Sequence, residues 1–235
     1  MENEAIIEVS KLSAAYGKIQ VLWDCDLRLV KGKTLLIVGP NGAGKTTLLK
    51  CIAGQLLPMS GNILFMGRDI TRASIAERAK SGIAFISENS FYPGLTVKEN
   101  LYMSSLRSRA DFKERLQNVY NFFPELRSLE REKASSLSGG QRKMLLMSRA
   151  VISEPSVLII DEPSSGLSPL FTERVMGFIS QLREKGLSMI IAEQNVEFLS
   201  LADNGLVMDH GRVVFSGTGE ETRKSSFVGS AYFGM

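Results

Sequence analysis

Residues Gly39-Pro40-Asn41-Gly42-Ala43-Gly44-Lys45-Thr46 decide how this chain is read. They follow the apolar run Leu35-Leu36-Ile37-Val38 and open into Thr47-Leu48-Leu49-Lys50-Cys51-Ile52-Ala53, which is compatible with a helix. The spacing G-x-x-x-x-G-K-[ST] therefore stands between a strand and a helix, the context its chemistry needs. Glycines let the backbone curl so that successive N–H groups face one anion, and the helix that follows adds its positive end. Lys45 then reaches the β- and γ-phosphates, and the Thr46 hydroxyl is placed to ligate Mg²⁺. An ordinary Gly-rich turn between strand and helix has no need of a Lys and a Thr at the first helical positions. Gly39 through Thr47 thus reads as a nucleoside triphosphate site, without saying what the triphosphate is used for.

Working outward, 235 residues with 44% hydrophobic content are ample for a buried core in one large domain or two small ones. The net charge of +3 comes from 28 basic and 25 acidic residues dispersed along the chain. No basic run is long enough for a nucleic-acid stripe, so nucleic acid is not expected as a partner. Cys25 and Cys51 lie far apart, with neither CxxC spacing nor paired histidines. Disulfide and zinc readings are both poor, and two packed thiols in a reducing compartment are expected. No apolar run approaches the roughly 20 residues needed to span a bilayer. A cytoplasmic location is expected, with any membrane role reached through a partner.

Ile7 to Leu12 and Val21 to Val30 alternate apolar and polar residues, which predicts antiparallel strands with one buried face. Between them, Tyr16 stands in an exposed turn before Gly17-Lys18. It can offer a stacking surface for adenine or simply anchor a hairpin. After the phosphate loop, the pattern predicts a turn over Gly54 to Gly61, a strand over Asn62 to Met66, a short helix over Ala73 to Lys80 and a buried strand over Ile83 to Ile86. That strand ends in Ser87-Glu88-Asn89. Thr96-Val97-Lys98-Glu99 is a capping box that starts a helix running to about Arg107, and Asp111 to Phe123 forms another, closed by Pro124. This charged, helical stretch reads as a helical subdomain inserted over about residues 95–150. The flanking stretches, about 1–88 and 155–235, read as a nucleotide-binding core with an antiparallel β subdomain. The fold class expected is α/β: a P-loop NTPase core with a mainly parallel sheet, an N-terminal antiparallel β subdomain and an inserted helical subdomain.

Two further segments carry chemistry. Leu137-Ser138-Gly139-Gly140-Gln141 runs straight into an amphipathic stretch, Arg142 to Val151, with Met144, Met147 and Val151 at core-facing spacing. A Ser-Gly-Gly at a helix start is a second anion site, with exposed backbone donors and a hydroxyl. Val157-Leu158-Ile159-Ile160 is a wholly apolar strand ending in Asp161-Glu162, as buried parallel strands do, and ligands gather at such carboxyl ends. Alternation along a strand predicts that one acid faces the Mg²⁺ shell while the other is aimed elsewhere near the phosphates. Asp161 is assigned to the metal, through water, and Glu162 to orienting and deprotonating the attacking water. Ser168-Pro169 starts a helix to about Lys185 with the N-cap Ser and N1 Pro arrangement. Met189 to Ala192 is a buried strand ending in Glu193-Gln194-Asn195. Leu206 to Met208 and Arg212 to Phe215 form a hairpin around Asp209-His210-Gly211, and a short helix begins near Gly219. His210, the only histidine, is read as structural and exposed.

The phosphate loop, then Leu137 to Gln141, then Asp161-Glu162, in that order around a helical insert, strongly resembles the ATP-binding subunits of ABC transporters over essentially the whole chain. The resemblance puts Tyr16 where the family places its adenine-stacking aromatic. It also implies a transport-coupled ATP hydrolase that uses ATP and Mg²⁺, with Glu162, Gln194 and Glu88 as catalytic residues and Thr46, Glu88 and Asp161 around the metal. Three positions depart from the usual family pattern. Glu88 stands where a Gln is usual, Gln194 where a His is usual, and Ser168 where many members carry an Asp. With Glu193-Gln194-Asn195 and the ending Gly217 to Glu220 through Ala231 to Gly234, these departures look like the smaller ATPase subunit of branched-chain amino-acid importers, the LivF type. Urea importer ATPases look similar.

What the resemblance implies for assembly is a head-to-tail pair with a second ABC ATPase subunit, identical or different. Each ATP then lies between the phosphate loop of one subunit and the Leu137 to Gln141 signature of the other. Integral membrane permease subunits, and through them a solute-binding protein, complete the partners. The chain itself is peripheral on the inner face of the cell membrane.

Overall fold

In the computed structural model, which describes residues 4–88, 90–105 and 111–233, side chains through 229, the elements follow the sequence pattern closely. The chain starts as β1 (Ala5–Tyr16), β2 (Ile19–Val30) and β3 (Thr34–Val38), followed by α1 (Lys45–Ala53) and the pair β4 (Ser60–Phe65) and β5 (Arg68–Asp69). Next come α2 (Ile75–Ser81), β6 (Ile83–Ile86), α3 (Val97–Ser104), α4 (Phe112–Phe122), α5 (Glu125–Ser128) and α6 (Gly139–Ser153). The remainder is β7 (Val157–Asp161), α7 (Pro169–Glu184), β8 (Ser188–Glu193), β9 (Asn204–Asp209), β10 (Arg212–Thr218), α8 (Gly219–Lys224) and α9 (Ser226–Phe233). Asn89, the predicted helical residues 106–107 and Gly234 lie outside the described residues.

Two sheets result. One is antiparallel, in the order β2-β1-β4-β5. The other has the order β10-β9-β3-β8-β7-β6, parallel throughout except for the antiparallel edge strand β10. A parallel strand buried on both faces must be apolar on both, and its alternation then feeds two separate cores. Leu36 and Val38 pack with Leu158, Ile160, Met189 and Ile191 against α3, α4, α6 and α7. Leu35 and Ile37 pack with Ile159, Ile190 and Leu206 against α1 and the antiparallel sheet. The helix that carries the phosphate loop is thereby held between the two sheets, with Leu48, Leu49 and Ile52 fully buried.

The sequence expectations hold to within a few residues at the element ends. Thr96 and Glu99 form the predicted capping box, and Ser74 with Glu77 forms another. Ser168 stands at the N-cap of α7 with Pro169 at N1, but its side chain makes no cap hydrogen bond, so the proline carries that start. One buried cation went unforeseen. Arg78 of α2, 2% exposed, donates to the carbonyls of Cys51 and Ile52 at 2.7 Å each, of Ala73 at 3.0 Å and of Thr71 at 2.9 Å. Its guanidinium caps the C-terminal carbonyls of α1, where the helix dipole is negative.

Candidate nucleotide site

The strand order sets the site. β3, β8, β7 and β6 lie side by side and parallel, so their carboxyl ends present the phosphate loop, Gln194, Asp161-Glu162 and the turn bearing Glu88 along one edge. Gly39 begins the loop where a Cβ would run into the Met208 carbonyl of β9. Gly44 takes φ 100 as the N-cap of α1, a conformation that glycine alone adopts without strain. The loop is also tied to the β9–β10 turn, because the Gly211 amide donates to the Ala43 carbonyl at 3.0 Å. The Gly211 carbonyl in turn accepts from the Trp23 amide at 2.9 Å, which joins the antiparallel sheet to the same turn. His210, beside it, is 93% exposed in its side chain and pairs with Asp209.

Around the loop the functional side chains gather. Lys45 is 4% exposed; its Nζ donates to the Gly39 carbonyl at 2.7 Å and the Pro40 carbonyl at 3.1 Å, and lies 3.8 Å from Glu162 Oε1. Burial lowers the Lys45 pKa, while the charges of Glu162, Asp161 and Glu193 act the other way. Thr46 Oγ1 donates to Asp161 Oδ1 at 3.0 Å. Burial pushes the Asp161 carboxyl up, against that hydrogen bond. Gln194 Nε2 donates to Asn41 Oδ1 at 2.7 Å and to Glu162 Oε1 at 3.0 Å, so one neutral amide bridges the phosphate loop and the acid.

Asp161 and Glu162 take different partners at the loop, Thr46 for the first and Lys45 with Gln194 for the second. β7 ends at Asp161, and Glu162 enters the left-handed region at φ 47, which brings both carboxylates to the phosphate loop. A non-glycine residue is rare there, and such strain concentrates at functional positions.

Asn41 through Thr47, with Val21 and Glu162, line a hollow of about 170 Å³. That is room for the phosphate end of a nucleotide only. Larger hollows lie elsewhere, including an apolar groove of about 520 Å³ between α2, β6, α3 and α6. The phosphate loop gathers a lysine and two carboxylates, whereas the larger groove is lined mostly by apolar side chains. Tyr16 stands at the end of β1, 45% exposed, with Lys50 Nζ 5.9 Å from its ring centroid, outside that hollow. Glu88 is exposed in the turn after β6.

The Leu137 to Gln141 segment, the second anion site expected, stands apart from the phosphate loop. Ser138 caps α6 and forms a capping box with Gln141: the Gln141 amide donates to Ser138 Oγ at 3.3 Å, and the Ser138 amide donates to Gln141 Oε1 at 2.9 Å. Ser138 and Gly139 are exposed, Leu137 is buried, and Gly140 lies against Phe171. None of these residues lines the hollow at the phosphate loop.

Two residues of this region escape a sequence reading. Glu193 is 2% exposed and accepts from the amides of Ser164 at 2.6 Å, Gln194 at 2.8 Å and Asn195 at 3.1 Å, fixing the loops after β7 and β8. The signal for it was an acid at the end of an apolar strand. Lys143, 7% exposed on α6, donates to the Glu162 carbonyl at 2.7 Å.

The oxygen set Thr46 and Asp161 suits a hard cation that keeps most of its shell from water and phosphate, as Mg²⁺ does. Among the described residues no group of three or more His, Cys, Asp or Glu could hold a metal ion.

Comparison with known proteins places the chain in a family. The ABC transporter family profile matches residues 22–165. The high-affinity branched-chain amino acid transport ATP-binding protein BraG of Pseudomonas aeruginosa is 34% identical over 97% of this chain and 100% of its own length. The probable branched-chain amino acid transport ATP-binding protein LivF of Archaeoglobus fulgidus is 38% identical over 92% of this chain and 93% of its own. Among solved structures, the MJ1267 ATP-binding cassette of an ABC transporter superposes with a TM-score of 0.85 at 26% identity, covering 97% of this chain and 99% of that one. With its phosphate loop, its Leu137 to Gln141 segment and its acidic strand end in their places, the chain belongs to the ABC transporter ATP-binding family, a family of ATPases.

Proposed function

We propose that the chain is the ATP-hydrolysing subunit of an ABC importer for branched-chain amino acids. Similarity to two ATPases of branched-chain amino-acid transport over nearly their whole lengths supports the solute class. The observation that carries the chemistry is the Glu162 carboxylate, held 3.0 Å from Gln194 Nε2 and 3.8 Å from Lys45 Nζ at the mouth of the phosphate hollow. Lys45 and the loop amides bind the β- and γ-phosphates, Tyr16 stacks on adenine, and Glu162 takes the proton of the attacking water. Gln194 orients that carboxylate from the side of Asn41. Thr46 and Asp161, with Glu88 from the neighbouring strand end, hold Mg²⁺, which neutralises charge on the phosphate oxygens.

The site is half of one. Its hollow is small, and the exposed start of α6 offers Ser138 and Gly139 outward. In a head-to-tail pair with a second ABC ATPase subunit, the signature of one chain closes over the ATP of the other. ATP binding then favours the closed pair and hydrolysis releases it, a population shift driven by the γ-phosphate. Among the described residues no helix is long and apolar enough to cross a membrane, so coupling needs a partner. Integral permease subunits occupy the apolar groove between α2, β6, α3 and α6, next to the Glu88 turn. The protein then sits peripherally on the inner membrane face.

Replacing Glu162 with Gln is expected to keep ATP binding and lower hydrolysis roughly 10² to 10⁴-fold. Turnover at the parent rate would refute the assignment of Glu162. Recovery of the tagged chain from membranes with its permease subunits supports the transport reading, and recovery with ribosomes or DNA instead would refute it.

A further inference from the structure

Lys143 lies five residues past the N-cap of α6, yet its ammonium is not at the surface: the residue is 7% exposed. Lysines are seldom buried without a partner. Here Nζ donates at 2.7 Å to the backbone carbonyl of Glu162, across the gap between α6 and the end of β7. The Glu162 amide donates to the Ala192 carbonyl at 2.9 Å. The left-handed residue is therefore gripped on both sides, its N–H by β8 and its C=O by Lys143. This conformation is strained for a residue other than glycine and persists only when its surroundings hold it. Burial lowers the Lys143 pKa, and the charges of Glu88, Glu193, Glu162 and Asp161, all at the strand ends, act to keep it protonated.

We propose that Lys143 is a positioning residue for hydrolysis: its ammonium pins the Glu162 carbonyl, fixes the left-handed turn, and thereby aims the Glu162 carboxylate at the phosphate hollow. The same lysine projects from the helix whose first residues are Ser138, Gly139 and Gly140. It therefore ties the orientation of the chain's own carboxylate to the helix that meets the partner's ATP. A shift of α6 on engaging that ATP is passed to Glu162 through one hydrogen bond. This rests on the reading of Glu162 as the base.

The test is a double-mutant cycle on the full chain, measuring steady-state ATP hydrolysis, ATP affinity by calorimetry and thermal melting. Lys143→Met keeps the length and removes the ammonium. It is expected to lower kcat roughly 10- to 100-fold, the scale of a misplaced catalytic group, with ATP affinity within about threefold of the parent. In the Glu162→Gln background the same substitution is expected to change the residual rate less than about twofold, because no base is left to aim. A merely structural lysine would lower the rate by the same factor in both backgrounds, and that result overturns the proposal. So does a Lys143→Met protein with parental kcat while Glu162→Gln is slow. Parental turnover by Glu162→Gln would overturn the base assignment itself, and this proposal with it. Should Lys143→Met fail to fold, Lys143→Leu, which likewise has no donor, takes its place in the cycle with the same expected and overturning results.

Discussion

Arg78 offers the sharpest test of how the phosphate-loop helix is held. Its guanidinium is buried and bonded to four carbonyls, two of them at the C-terminal end of α1. Arg78→Met keeps most of the side-chain volume and removes every donor. The Cys51 carbonyl retains the Gly54 amide at 3.1 Å, so the loss falls on the carbonyls of Ile52, Thr71 and Ala73. The buried Ile52 carbonyl and the part-buried carbonyls of Ala73 and Thr71, deprived of their donor, cost at most about 1–3 kcal/mol each. Against that, the variant no longer has to desolvate a cation, worth several kcal/mol. The net expectation is a loss of about 2–4 kcal/mol, below the gross sum because the relieved desolvation offsets part of it. For a chain of this size that corresponds to a fall in Tm of about 4–16 °C. The assay is thermal unfolding followed by circular dichroism, with calorimetric titration of ATP well below the transition. ATP affinity is expected within about threefold of the parent, because Leu48, Leu49 and Ile52 still hold α1 between the sheets. Arg78→Lys is expected to recover only part of the loss, since one ammonium cannot span four acceptors as the planar fork does. An unchanged Tm in Arg78→Met would refute the reasoning: the buried charge would then contribute nothing beyond its volume.

Two further outcomes follow from the site and its supports. Gln194 makes only neutral hydrogen bonds to Asn41 and Glu162, so its contribution does not titrate; Gln194→His is expected to add a step near pH 6.5 to the pH–rate profile, and an unaltered profile would remove Gln194 from the γ-phosphate pole. Burial pushes the Cys51 thiol from 9.0 up to about 12. Below about pH 9 the thiol is protonated folded and unfolded, so it gives no pH dependence; between about 9 and 12 only the unfolded thiol ionises, and stability falls by up to about 1.4 kcal/mol per pH unit. Denaturation from pH 8 to 11 is expected to show a shallower decline in Cys51→Ala than in the parent, and equal slopes would contradict the burial argument.

The local part of the fold is legible because its signals are short in range. The G-x-x-x-x-G-K-T spacing, the fully apolar strands at 35–38, 157–160 and 189–192, and the Thr96–Glu99 box each act within a few residues, where sequence offset is nearly distance. Arg78 and Lys143 fail that condition. Each reads as one more cation on a helix surface, until α2 is laid on the end of α1 and α6 on the end of β7. Alternation separates the partners of Asp161 and Glu162 but does not foretell the backbone that aims the second acid. It holds only while the strand continues, and Glu162 leaves it at φ 47.

By itself, then, the sequence determined that a phosphate loop, a Ser-Gly-Gly helix start and an acidic strand end share one α/β chain, because each is a contiguous stretch read from its own residues. Only the tertiary structure decided how they meet. The strand order β3-β8-β7-β6 puts Lys45, Gln194 and Glu162 within hydrogen-bonding or ionic distance across more than a hundred residues of chain, and leaves Ser138 and Gly139 facing outward. Strand order is settled by which buried faces and backbone ladders pack together over the whole chain, and no local spacing encodes it.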